Sequence, residues 1–231
     1  MYILYHRRVK NAILFKQNAK NTLKGNWKVP VLVTLVYMIV TAILVAPEVV
    51  AEYTYNNGTV TVSYFLSTLI STCASGILTF ATAYFFLAFA ENPAVKFSTF
   101  LEGLNHFLKA VGAILWQTLW IFLWTFCFII PAFIKAYSYS QIMYLLAEYP
   151  NMKINHAMKI SMKITKGYKW DLFFMELSFL GWMILTALTL GLLSFYVTPY
   201  YELTRVNAYK FLKAKALETG TITEEDLNRD F

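Results

Sequence analysis

Lys166-Gly167-Tyr168-Lys169-Trp170-Asp171, running without interruption into the apolar stretch 172–197, is the segment on which the fold turns. It joins a basic amphipathic segment to a run long enough to cross a bilayer. Residues 151–171 carry Lys153, Lys159, Lys163, Lys166 and Lys169 with one closing acid. Wound as a helix, they place Ile154, Ala157, Met158, Ser161, Ile164 and Thr165 on a less polar face and His156, Lys159, Lys163 and Lys166 on a basic one. Anionic lipid is the natural counterpart of such a face, at roughly 1 kcal/mol per base near the surface.

The whole composition agrees with that segment. Of 231 residues, 58% are hydrophobic, 18% aromatic and 14% charged, whereas soluble domains carry roughly 25% charged residues. A water-soluble fold could hardly hide so much apolar surface. The charges are gathered into short connectors between uncharged runs, as a chain threaded through lipid requires.

Outward toward the N-terminus, residues 1–28 hold seven bases and no acid. They lack the uninterrupted apolar core and cleavage site of a secretory signal. Ala12, Phe15, Ala19 and Leu23 form one helical stripe and Lys16, Lys20 and Lys24 another, which suits a helix lying along headgroups; a solvated basic tail is the alternative. Residues 29–46 form the first spanning candidate, about 27 Å long at ~1.5 Å per residue. Beyond Pro47, Tyr53 to Val62 alternates around Asn57-Gly58, which predicts a small external β-hairpin near 50–64. Asn57-Gly58-Thr59 also matches a glycosylation acceptor, although the turn explains it equally well.

Residues 62–90 span next, with Ser67, Ser71, Ser75 and Thr79 at four-residue spacing, a pattern of close helix packing or of a polar pore lining. Residues 93–109 read as an amphipathic helix. Residues 110–130 span with Trp116, Trp120 and Trp124 on one face, placed to pack against lipid or a neighbouring helix, or to stack a ligand. Residues 132–148 return past Pro131, 172–197 cross again, and 200–215 return past Pro199. Residues 217–231 form an acidic, polar tail.

The predicted fold is therefore all-α: about six transmembrane helices arranged as three helical hairpins, each preceded by a basic or amphipathic interfacial helix. Its domains are a cytoplasmic segment at 1–28, a six-helix domain at 29–216 and a tail at 217–231. Seven bases precede the first span, two lie between the second and third, five between the fourth and fifth, and four follow the sixth, leaving only Lys135 and Arg205 elsewhere. The positive-inside rule then puts both termini in the cytoplasm. The three joints also look alike, Lys24-Gly25-Asn26-Trp27 and Lys166-Gly167-Tyr168-Lys169-Trp170 most of all, which suggests an internal repeat or chance similarity among hairpins.

SMKITKGYKWDLFFMELSFLGWMIL at 161–185, IPAFIKAYSYSQIMYLLAE at 130–148, the Lys24-Gly25-Asn26-Trp27 element and Thr198-Pro199-Tyr200 together resemble the bacterial integral membrane proteins grouped as domain of unknown function 975. The resemblance covers almost the whole chain. It implies a multi-pass protein of the bacterial cytoplasmic membrane with no established activity. The segment 48–61 has no counterpart in it.

No catalytic constellation stands out. His6, His106 and His156 each lack a second ligand at metal spacing, and Cys73 and Cys127 read as buried thiols within spans. No catalytic, metal or cofactor residue is assigned, and an enzyme is not expected. The candidate polar site within the membrane is Glu176, Glu202 and Arg205, because ionisable groups at that depth are costly and tend to be functional. Lys16, Lys20, Lys24, Lys159, Lys163, Lys166 and Lys169 are the candidate anionic-lipid contacts, and Trp27 and Trp170 the interfacial anchors. The expected partners are membrane lipids, with a second copy or another membrane protein as further options and no nucleic acid. Two functions follow: a non-enzymatic protein that binds lipid or an envelope component, in envelope stress or self-protection, or else a small-molecule or lipid transporter or permease subunit. A polar cavity within the bundle would favour transport, and a solid bundle would favour binding.

Overall fold

Long apolar runs with few interior breakers wind into helix, because in lipid or in a packed bundle every backbone amide must find its partner within the segment. The computed structural model describes residues 2–55, 62–127 and 129–228, and the side chains of 10–44, 68–126 and 130–228. Twelve helices lie among the described residues: α1 Tyr2–Leu23, α2 Lys28–Tyr55, α3 Val62–Glu91, α4 Ser98–Leu104, α5 Phe107–Cys127, α6 Ile129–Tyr139, α7 Ile142–Glu148, α8 Ile154–Ile164, α9 Lys169–Leu177, α10 Leu180–Leu188, α11 Ser194–Glu218 and α12 Glu224–Asn228.

Among the described residues, three stretches are long and apolar enough to cross a membrane: Thr68–Glu91, Phe107–Phe126 and Lys169–Leu188. A fourth arises if Lys10–Leu23 and Lys28–Leu44, bent by 106° at their joint, count as one. Of the six expected spans, three or four thus meet the test of length and composition among the described residues. The other two depart from a continuous apolar helix. The return after α5 is split between α6 and α7, and α11 carries Glu202, Arg205, Lys210, Lys213 and Lys215 along its length. The outward faces suit a membrane: Phe126 is 88% exposed and Leu190 95%, with Phe122, Ile130, Leu188 and Leu192 similarly bare.

The expected β-hairpin is not present among the described residues. Tyr53, Thr54 and Tyr55 complete α2 and Val62 opens α3, while 56–61, with Asn57-Gly58, lie outside the described residues. Helix propagation from the apolar run carries past Pro47, which sits inside α2, and overrides the local alternation. The 172–197 run likewise is not one helix. It breaks at Ser178-Phe179 and ends at Leu188, and the chain reverses through Leu190 and Gly191, both at positive φ (52° and 86°). Pro199 therefore lies within α11 and does not mark the turn.

The amphipathic stripes find protein partners. Ala12, Phe15, Ala19 and Leu23 are all buried, and α1 packs along α9 and α11. Phe15 meets Phe211 at 5.3 Å and Asn207 donates to the Phe15 carbonyl. On α8 the face formed by Ala157, Met158, Ser161, Ile164 and Thr165 is buried against the bundle. Ser161 donates to the Ser138 carbonyl (2.7 Å) and its oxygen accepts the Gln141 backbone N–H, so α8 supplies the hydrogen bonds that the α6–α7 break would otherwise lose.

Two joints share one conformation. Gly25 after α1 and Gly167 after α8 both adopt φ near +85°, the left-handed cap that ends a helix at low cost only with glycine. The third joint, between α4 and α5, is built differently: Asn105 keeps helical angles. Gly103 in α4 serves a separate need, since a Cβ there would stand 2.7 Å from the Ala81 Cα on α3. We expect Gly103→Ala to cost about 1–3 kcal/mol by forcing the two helices apart, seen as a drop of several degrees in thermal unfolding in detergent. Gly181→Ala, in open space on α10, should leave the midpoint unchanged or raise it; equal effects at both positions would count against the close approach.

Candidate functional site

Within the bundle, α2, α3, α5, α6, α7 and α11 line a partly open cavity of about 230 Å³. Its polar wall is built in helical steps. Thr34 and Tyr37 face it from α2, Thr79 and Thr82 from α3, and Thr198, Glu202 and Arg205 from α11, spaced at i, i+3 or i, i+4, i+7. Gln117 of α5, Tyr144 of α7 and Ser140 at the α6–α7 break complete it, with Val33, Ala83, Phe86, Ile114 and Met143 as apolar lining.

The charges sit at one side of this space. An Arg205 Nη lies 3.9 Å from a Glu202 carboxylate oxygen, and the two side chains are 26% and 18% exposed. Tyr144 donates to the other Glu202 oxygen at 3.3 Å. The guanidinium rests over the rings of Tyr144 and Tyr201, 5.7 and 5.6 Å from their centroids. Beyond Arg205 a second space of about 10 Å³, room for roughly one water, is lined by Gln141, Glu176 and Arg205 among others. Glu176 accepts the Tyr137 hydroxyl at 2.6 Å, and the Gln141 Oε1 is buried without a hydrogen-bond partner among the described residues. The fold thus gathers Glu176, Glu202 and Arg205, from α9 and α11, into one cluster with a formal charge of about −1 if both carboxylates are ionised.

The other candidates are dispersed. Lys16 donates to the Ser178 carbonyl (3.0 Å) and lies over the Phe179 ring, and Lys20 lies over the Tyr200 ring, so both are engaged within the protein. Lys24, Lys159 and Lys166 are exposed and Lys169 is half-buried. Lys163 pairs with Asp226 of the tail at 3.6 Å. The Thr223 backbone N–H, aided by Lys163, holds the Asp226 carboxyl below its usual range. His156 hydrogen-bonds to the Asp226 carbonyl, so the acidic tail is docked on the basic face of α8. Trp170 is largely exposed, but Trp27 stacks on Tyr196 at 4.9 Å and 17° and is held by protein.

The tryptophan stripe does not line the cavity. Trp116 and Trp120 contact one another edge to face at 5.8 Å, and Trp124 underlies the Lys135 ammonium at 4.7 Å. Of the Ser/Thr ladder, Thr79 reaches the cavity, while the Ser71 and Ser75 hydroxyls bond to carbonyls three residues back on α3. Reasoning from sequence singled out Thr79 but missed the other hydroxyls opposite the charges, Thr34, Tyr37 and Thr82, whose signal is the i, i+3 spacing of polar pairs in apolar runs. It also missed Glu148, which takes bonds from Tyr209 and Lys213 where α7 meets α11.

Removing the guanidinium alone would leave the half-buried carboxylates of Glu202 and Glu176 without their shared cation, at a cost of up to about 3 kcal/mol. Arg205→Met should therefore lower the unfolding midpoint strongly, and the double variant Arg205→Met, Glu202→Met should recover part of the loss. Strict additivity of the two single changes would contradict the coupling.

Residues 9–138 and 127–216 match the sequence profile of a family described as protein of unknown function (DUF975). Neither a curated protein nor a solved structure matches the chain.

Proposed function

The chain belongs to the DUF975 family of proteins of unknown function, and from that premise we propose that it is an integral membrane protein that binds a small polar solute in its central cavity and carries it across the membrane. The observation that carries this reading is the polar cavity itself, walled by an interrupted helix and a charged pair. Irregular backbone at membrane depth is tolerated where it is buried in protein or lines a water-filled space, and transporters place such breaks at their solute sites. The α6–α7 break at Ser140 lies in this wall. A bundle serving only as an anchor would have no need to hold Glu202, Arg205 and a ring of hydroxyls around open space.

The topology we propose has six crossings in the bacterial cytoplasmic membrane, with both termini cytoplasmic. α2 and α3 form one hairpin. After α5 and after α9–α10 the chain must come back to the side of the next basic connector, which gives α6–α7 and α11 the returning roles. This arrangement keeps eighteen of the twenty bases on one side.

Binding of anionic lipid is the second reading, favoured by the exposure of Lys24, Lys159 and Lys166. Proteoliposome uptake of a panel of labelled amino acids, amines and organic acids tests transport. At least one solute should enter faster than into empty vesicles, and Glu202→Gln should cut that rate about tenfold or more. Entry no faster than the empty-vesicle rate across the panel would reject transport. Flotation with anionic vesicles tests the second reading: substituting Lys24, Lys159 and Lys166 together with Gln should abolish any preference for anionic over neutral vesicles, and an unchanged preference would dismiss those residues as the lipid contacts.

A further inference from the structure

From the arrangement of Arg205 and Glu202 we infer that the cavity takes a small zwitterion, a molecule carrying an ammonium and a carboxylate a few bonds apart, as in an α- or β-amino acid. The inference rests on the solute-binding reading above and specifies its substrate class. The pair is apposed but unjoined: at 3.9 Å it is outside hydrogen-bond range, whereas an arginine–carboxylate pair built for stability closes to about 2.8 Å with two parallel bonds. Among the described residues Arg205 donates no hydrogen bond within normal range, and Glu202 accepts one, from Tyr144 at 3.3 Å. Both side chains keep part of their surface open and line the same cavity. Donors and acceptors of opposite charge, side by side and unspent, are the complement of a ligand that carries both charges.

Pairing of both charges disfavours the simpler ligands. With Glu176 beyond Arg205, the cluster holds two carboxylates and one guanidinium. A lone anion would add to the negative charge of a poorly solvated space, and a lone cation, although it would balance that charge, would leave the Arg205 donors unspent. A zwitterion engages both partners of the open pair. Its carboxylate can take the two parallel N–H groups of Arg205, and its ammonium can turn to Glu202.

The remaining wall suits an ammonium. The Thr34 hydroxyl donates to the Pro30 carbonyl (3.0 Å) and the Thr82 hydroxyl to the Leu78 carbonyl (2.8 Å), so each has spent its hydrogen and presents oxygen lone pairs. The volume of about 230 Å³ fits a compact molecule: an apolar cavity of about 150 Å³ holds benzene, while drug-sized ligands occupy roughly 300–1,000 Å³. The same pairing of charges occurs on an ethanolamine phospholipid headgroup, so the source of the zwitterion must be separated in the test.

The test uses three probes of one chain length: β-alanine with both charges, propylammonium with one and propionate with the other. Purified full-length protein in phosphatidylglycerol nanodiscs is titrated with each, following thermal unfolding and tryptophan fluorescence. β-Alanine should bind at least about tenfold more tightly than either singly charged probe. Glu202→Gln should reduce β-alanine binding about tenfold and leave propionate unchanged. Should that variant fold poorly, Thr82→Val is expected to weaken β-alanine and propylammonium but not propionate. Nanodiscs containing phosphatidylethanolamine separate the sources: competition with β-alanine there supports the zwitterion site with the headgroup as its occupant, and undiminished binding supports the free solute. Propionate or propylammonium matching β-alanine would overturn the zwitterion while leaving solute binding intact. No response to any of the three in the wild-type protein would overturn both.

Discussion

A guanidinium beside one carboxylate, and bordering a small space with a second, inside an apolar bundle is the constraint to which the surrounding helices answer. Each charge would be expelled or neutralised were it alone. Arg205 stays because Glu202 and Glu176 flank it and the rings of Tyr144 and Tyr201 cover its faces. Meeting that need takes side chains from α7, α9 and α11 at once, with Tyr137 of α6 securing Glu176. Elements far apart in the chain are therefore held in one register around a single group. The geometry stops short of full satisfaction, since the open pair at 3.9 Å borders a cavity. A purely structural ion pair would gain by closing that distance.

The two glycine joints position the elements that make this possible. At Gly25 and Gly167 an amphipathic helix ends in a left-handed cap and an apolar helix begins within a few residues. The first joint turns the chain by 106°, sending α2 toward the cavity while α1 lies along α9 and α11. The second sets α9 so that Asp171 accepts a bond from Asn11 of α1 (3.0 Å) and Glu176 comes to Arg205. The charged cluster and the joints are thus parts of one arrangement. Substituting either glycine would disturb the approach of α2 or α9, because its conformation, and not lack of room, is what a side chain would oppose.

What could be read from the sequence divides along physical lines. The stripe Ala12, Phe15, Ala19, Leu23 and the less polar face of α8 follow the 3.6-residue period, and those positions are buried apart from Ile154, which is half-buried. Glu176, Glu202 and Arg205 stood out because charge in an apolar run is costly, and the fold brings them together. Hydropathy does not record direction, however. It could not show that the amphipathic faces meet protein, that the chain breaks at Ser140 and at Phe179, or that α11 continues through Pro199. The cavity was least legible, since its hydroxyls come from α2, α3 and α11 and become neighbours only on packing. The alternation misled at its described ends, Tyr53–Tyr55 and Val62, because there the long helical runs of α2 and α3 override it.

Water and solute should reach the space beside Glu202 and Arg205 within an otherwise packed bundle. Thiol labelling measures that access, in protein whose Cys73 and Cys127 are replaced by serine. Thr82→Cys, in the cavity wall, should react with a small hydrophilic thiol reagent, whereas Ala113→Cys, fully buried on α5 and not among the residues that line the cavity, should not. Equal protection of both thiols in folded protein would mean a closed core and would contradict the account.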